Sequence, residues 1–242
     1  GTLSATDGVL VATSNSFNIV AGAAAAISFT TQPATNANVT AGSPITLVAH
    51  VVDGAGNAVA GESVALAIAS GFAGSTLTAT SPQTTNASGD ATFSNVSLNK
   101  VGTGTLSATD GVLVATSNSF NIVASSPDHL TFTPAPGDIV QGQTLGNVTV
   151  TEYDAYGNQI TADSTTQVSL VAGQCGGTVL GTQALNGGAV TFNTTQAFLT
   201  VTTNPASLSA AAGSNPPTPA SSTFNVMLGD EIFFNGFESC TP

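Results

Sequence analysis

The sequence predicts an all-β chain of tandem β-sandwiches, and three observations carry that prediction. One string recurs unchanged far downstream, β-branched runs are closed by Asp, Asn and Gly pairs, and no stretch sustains a 3.6-residue apolar period. Residues 1–21 read GTLSATDGVLVATSNSFNIVA, and residues 104–124 repeat them letter for letter. Looser echoes follow the same order. Phe29 and Pro33 recur as Phe132 and Pro136, Asp53…Asn57 as Asp154…Asn158, Gly89…Phe93 as Gly188…Phe192, and Ser119-Phe120-Asn121 as Thr223-Phe224-Asn225. Internal periodicity of this kind marks stacked structural units. The expected division is a hairpin at 1–23 left over from a preceding repeat, complete repeats at 24–124 and 125–227, and a Phe-rich tail at 228–242.

Taken in order, each repeat reads as short strands. Ile45-Thr-Leu-Val-Ala-His-Val-Val52 is rich in β-branched residues and stops at Asp53-Gly54 and Gly56-Asn57, residues that favour turns. Ser63 to Ile68 alternates in part and ends at Gly71. Thr105–Thr109 and Val112–Val123 flank Asp110-Gly111, which predicts a hairpin with a type I′ turn centred on that pair. Asn186-Gly187 plays a similar part in the second repeat. Pro33, Pro44, Pro82 and Pro136 fall at strand ends or connectors, where no ladder donor is needed. Several strands at this spacing in about 100 residues indicate a sandwich.

These motifs together resemble a known family. The opening F-x-x-x-P, Ala41-Gly42 ahead of the second strand, D-x-x-G-N, G-x-A-T-F and the closing G-T-G-T-L-S-A-T-D-G…F-N-I are similar to bacterial immunoglobulin-like (Big-type) repeats, strung in tandem in invasin- and intimin-like surface proteins. The resemblance covers residues 24–227 and the partial copy at 1–21. It implies immunoglobulin-like sandwiches of seven strands, acting as spacers in an exported adhesin or surface filament. Asp230-Glu-Ile-Phe-Phe-Asn-Gly-Phe-Glu238 resembles a D-x-I-F-x-x-G-F-E tail found on some exported gammaproteobacterial proteins.

Charge narrows the function classes. Lys100 is the sole Lys or Arg against 13 acidic residues, a net charge of -12. Such a chain can neither neutralise a run of phosphates nor dock on an anionic membrane. Only 6% of residues are charged, where a globular domain carries about a quarter. Disorder is an equally poor fit, because 41% of the residues are hydrophobic. The richest apolar stretch, Ala21 to Ile27, is too short to cross a bilayer, so no membrane insertion is expected. A bacterial extracellular or cell-surface address is expected.

Candidate chemistry is sparse. A nucleophile–base–acid triad needs a histidine oriented by one group and touching another. His50 lies within an apolar strand, and His129 merely adjoins Asp128 in sequence. No catalytic residue and no cofactor are expected. The metal candidates are Asp53 and Asp154, which open the D-x-x-G-N loops, with Asp128 and Asp138 near the junction between repeats. Calcium, the ion to consider, takes about six to eight oxygen ligands. One Asp, one Asn and some carbonyls fall short of that unless another segment contributes, whereas Asp and Asn routinely bond their own loop backbone. Turn chemistry is therefore the expected role. Lys100 could join an isopeptide cross-link, but reads as a solvated loop residue. Tyr153 and Tyr156 are the only tyrosines in a chain without Trp, and form the one candidate platform for a glycan or protein ligand. Cys175 and Cys240 are expected to pair as a disulfide that fastens the tail to the second sandwich. The hairpin at 1–21 is surplus to both sandwiches. Its expected partners are an upstream repeat of a longer array or, alternatively, a neighbouring copy joined by strand addition.

Overall fold

The computed structural model describes residues 1–133, 137, 139–140, 146–172, 178–193, 206–212, 220–224 and 226–227, and these contain strands and no helix. The chain clusters into two units, Gly1–Ile122 and Val123–Pro242.

The first unit begins with a ribbon of two strands, β1 (Ser4–Thr6) and β2 (Val11–Thr13), which among the described residues pair only with each other. The rest is built from β3 (Ala24–Thr31), β4 (Asn38–Thr40), β5 (Ile45–Asp53), β6 (Ser63–Gly71), β7 (Leu77–Thr78), β8 (Gln83–Thr84), β9 (Asp90–Leu98), β10 (Gly102–Asp110), β11 (Leu113–Thr116) and β12 (Phe120–Val123). One sheet runs β3-β5-β9-β7; the other runs β4-β12-β10-β6-β8, with β11 also on β10. Successive side chains of a strand point to opposite faces, and β5 uses this fully. Leu47, Ala49, Val51 and Asp53 are buried on one face, while the residues between them are partly exposed. Leu47, Val51, Phe93 and Val96 from the first sheet share one core with Val64, Leu106, Phe120 and Ile122 from the second. Two antiparallel sheets closing on one core make a sandwich.

Two details of the closing hairpin depart from expectation. Asp110 pairs with Leu113, so the turn is centred on Gly111-Val112 rather than Asp110-Gly111. Gly111 has φ +56° and Val112 is not among the positive-φ residues, the pattern of a type II′ turn rather than type I′. A β-branched valine disfavours positive φ, so the register shifts until glycine takes the first central position. The expected strand Val112–Val123 is also divided at Ser117. The Ser117 hydroxyl accepts from Leu106 N–H (2.9 Å) and donates to the Asn118 carbonyl (2.9 Å), which lets β11 and β12 flank the same edge of β10.

Gly71 and Gly104 face each other across the β6–β10 ladder. A Cβ on Gly71 would lie 2.0 Å from the Thr103 carbonyl oxygen, and one on Gly104 would lie 2.2 Å from that of Ser70. This close approach brings Phe72 into the core against Phe120, ring centroids 5.0 Å apart.

The second unit contains β13 (Pro127–Phe132), β14 (Ile139–Val140), β15 (Val148–Asp154), β16 (Gln167–Ala172), β17 (Thr178–Ala184), β18 (Ala189–Phe192), β19 (Ala206–Ala212), β20 (Ala220–Phe224) and β21 (Val226–Met227). Its sheets run β13-β15-β18 and β17-β16-β19-β20, and β14 and β21 form a separate parallel pair. Leu130, Val150 and Phe192 pack with Val168, Leu170 and Ala210 in a single core. The fold is all-β, with tandem immunoglobulin-like sandwiches.

Candidate functional site

The two D-x-x-G-N loops fold alike and carry the most ordered polar chemistry among the described residues. Asp53 ends β5 with its side chain on the buried face. Its Oδ1 accepts from the backbone N–H of Ala55 (2.9 Å) and Asn57 (2.8 Å), and the Asn57 amide bonds both oxygens. Oδ2 accepts from Gly22 N–H at 2.8 Å. Gly22 lies just ahead of β3, so the loop fastens the segment that leads into the sandwich.

Asp154, fully buried at the end of β15, repeats the device. Its Oδ1 accepts from Tyr156 N–H (2.9 Å) and Asn158 N–H (2.8 Å). Its Oδ2 accepts from the Asn158 amide (2.9 Å), from Ser125 N–H (2.9 Å) and from the Ser125 hydroxyl (3.3 Å). Ser125 precedes β13, as Gly22 precedes β3. The Asn57 amide, then the Gly22 and Asn57 backbone N–H groups, hold the Asp53 carboxyl well below the usual carboxylate range. Burial works to raise Asp154, but the bonds from Asn158, Ser125 and Tyr156 outweigh it and keep this carboxyl low as well. Both aspartates thus spend their oxygens on N–H and O–H donors. What the loops do chemically is hold backbone.

The remaining candidates are dispersed. Asp128 is exposed and its Oδ2 lies 2.9 Å from His129 Nδ1, while the His129 ring stacks on Tyr153 with centroids 5.7 Å apart and planes 19° apart. Tyr153 is half-buried on β15, whereas Tyr156 is exposed on the loop. His50 Nδ1 meets Asp90 Oδ1 at 2.8 Å across strands. Among the described residues no group of three or more His, Cys, Asp or Glu could hold a metal ion. Asp138, Cys175 and Cys240 lie outside the described residues, and so does the Phe-rich tail.

One residue escapes sequence reading. Glu152 is fully buried on β15, and among the described residues no N–H or O–H donor meets either carboxylate oxygen. It stands where the first repeat has Val51. Leu130 pairs with Glu152 as Ile27 pairs with Val51, and their N–H groups donate to the Gly188 and Gly89 carbonyls respectively. Burial, reinforced by the negative charge of Asp163, pushes the Glu152 carboxyl up to about 7. Asp163 itself is held at about 2: burial raises it, but bonds from the Thr166 hydroxyl and the Thr165 and Thr166 N–H groups prevail. Comparing the two repeats position by position is the signal that could have found Glu152.

The class defined by this architecture is an all-β tandem sandwich of the immunoglobulin-like kind. No protein-family description matches the sequence, and no curated protein matches it. Solved structures to which the chain is similar include the Escherichia coli adhesin FdeC, 20% identical over 88% of this chain and 67% of that one, with a TM-score of 0.43. The Yersinia pseudotuberculosis adhesin InvE is 20% identical over 83% of this chain and 58% of its own, with a TM-score of 0.35. Domains 5–6 of the surface-layer protein SbsC are 16% identical over 84% and 98% of the two chains, with a TM-score of 0.32.

Proposed function

We propose that this chain is a non-enzymatic, extracellular structural protein. In this reading it is a stalk segment of a bacterial surface adhesin or filament, with residues 24–124 and 125–227 as its two repeats. The observation that supports it is the duplicated clasp. Each repeat uses a buried aspartate to tie down the segment just ahead of its first strand. A free linker leaves adjacent domains to reorient, and pinning its backbone shortens the mobile tether. A spacer that must project a distal group from a surface benefits from that restraint. The test is amide exchange at Gly22 and Ser125 in the whole chain. Slow exchange, lost selectively at Gly22 in Asp53→Ala and at Ser125 in Asp154→Ala, supports the spacer reading. Fast exchange at both positions in the unaltered protein would overturn it.

A second reading, adhesion to a glycan or host protein through the terminal sandwich, is favoured by Tyr156, which is exposed at a loop position where the first repeat has Ala55. Glycan-array binding abolished by Tyr156→Ala would establish this reading. Indifference to every glycan would leave the spacer.

A further inference from the structure

The identical strings at 1–21 and 104–124 form an internal control, because one sequence is seen with its packing partner and once without. Both copies fold into the same ribbon. Ser4 pairs with Thr13, Ala5 with Ala12 and Thr6 with Val11, as Ser107 pairs with Thr116, Ala108 with Ala115 and Thr109 with Val114. Leu3 N–H donates to the Ser14 hydroxyl at 2.9 Å, as Leu106 N–H does to Ser117. Phe17 N–H donates to the Gly1 carbonyl (2.9 Å), where Phe120 faces Gly104 in the ladder. Local structure is therefore the same, and the surroundings differ.

The difference is widest at three large side chains. Leu106, Phe120 and Ile122 are 0%, 0% and 2% exposed, but their counterparts Leu3, Phe17 and Ile19 are 68%, 41% and 88% exposed. Val112 and Val114 are outward-facing in the complete sandwich, at 95% and 60%, and Val9 and Val11 match them at 89% and 68%. The first ribbon thus has a solvent face already correct for solvent and an apolar face that is bare. What covers that face is shown by the duplicate. It is the body of an immunoglobulin-like repeat, which offers an edge like β6 for the ladder and a core like that around Val64 and Phe93.

We infer that residues 1–21 are the closing hairpin of a further sandwich, and that their occupant is a repeat body equivalent to residues 24–103 joined on their N-terminal side. This deepens the spacer reading by adding a repeat, yet rests on the duplicate and not on the aspartate clasps. A second copy of the chain is the weaker occupant by counting. Each copy brings two such hairpins, and its first repeat holds one slot, already filled by 104–124. Exchange between chains would bury one hairpin only by expelling another, and one per chain would always stay bare.

Amide exchange of Leu3–Thr13 and Phe17–Val20 tests this, in the 242-residue chain at two concentrations and in the native polypeptide from its source. The expected result is a native polypeptide carrying F-x-x-x-P, D-x-x-G-N and G-x-A-T-F in order ahead of Gly1, with hairpin amides protected at least about 100-fold over the 242-residue chain. Ile19→Asp should leave the melting temperature of the 242-residue chain unchanged and abolish that protection in the native one. Native hairpin amides as labile as those of the 242-residue chain would overturn the inference. So would protection that grows with concentration in the 242-residue chain, which would assign the face to a second copy.

Discussion

At the scale of single residues, the two repeats have diverged most sharply at one core position. Val51 costs nothing to bury, while Glu152 in the same place must shed its charge or leave it unpaired beside Asp163. The carboxyl rises from an ordinary 4.5 to about 7. The unfolded chain releases its proton near 4.5 and the folded chain holds it until about 7. Folding is thus unpenalised below the lower value and loses stability as pH climbs through the upper one. Over that window the second repeat should lose about 3 kcal/mol, taking roughly 1.4 kcal/mol per pH unit of displacement. Urea titrations from pH 4.5 to 8 check this, and Glu152→Val should flatten the profile and raise stability at pH 8. Asp154 acts with the opposite sign. Its lowered carboxyl supports the fold above the unfolded carboxylate range and fails only as pH falls through the depressed value. Asp154→Ala strips acceptors from the Ser125, Tyr156 and Asn158 N–H groups. With each orphaned donor worth about 1–3 kcal/mol, the second repeat should lose ~3 kcal/mol or more, measured by the same titration at pH 6.

Among elements, the closing hairpin shows how much a strand owes to what it lies against. Gly1 and Gly104 occupy the same place in identical strings, but nothing lies within 4 Å of a Cβ built on Gly1, whereas one on Gly104 would meet the Ser70 carbonyl oxygen at 2.2 Å. Backbone cannot swing aside as a side chain can. Gly104→Ala should therefore cost the first repeat more than about 2 kcal/mol, the range of strained or overpacked sites. Gly1→Ala should leave the melting temperature of the 242-residue chain within error of the parent. Calorimetry of the two variants side by side decides it, and equal effects would mean that the β6–β10 approach is less tight than it looks.

For the whole molecule, scarcity of cations becomes an assay. Lys100 is the only Lys or Arg, so trypsin has one site in the chain. It sits in the short connection between β9 and β10, half-buried, with its N–H donating to the Ser75 hydroxyl at 3.2 Å and Asn99 N–H doing the same at 3.1 Å. Cleavage needs a segment that can open into an extended strand in the protease cleft, and this one is held at both residues. The native chain should survive trypsin intact and the urea-unfolded chain should give two fragments on a gel. Rapid native cleavage at Lys100 would mean that the β9–β10 connection opens far more readily than its bonds suggest.

Sequence alone determined whatever depends on neighbours along the chain. The repeat, the alternation in Ile45–Val52 and the turn chemistry of Asp53-x-x-Gly-Asn are local patterns, and the surplus of hairpins over sandwich bodies could be counted from the letters. Tertiary structure decided what depends on distant segments. That Asp53 reaches back to Gly22 and Asp154 to Ser125 leaves no local trace, because nothing in D-x-x-G-N says which N–H will meet its second oxygen. Glu152 reads as an ordinary strand glutamate until the sheets close over it. The move of the turn from Asp110-Gly111 to Gly111-Val112 is by contrast local, because the ribbon at 1–21 keeps the same register without a facing sheet. The twin hairpins make the division plain. Twenty-one identical residues fix the same ribbon twice, and only the presence of a facing sheet determines whether Leu, Phe and Ile become core or surface.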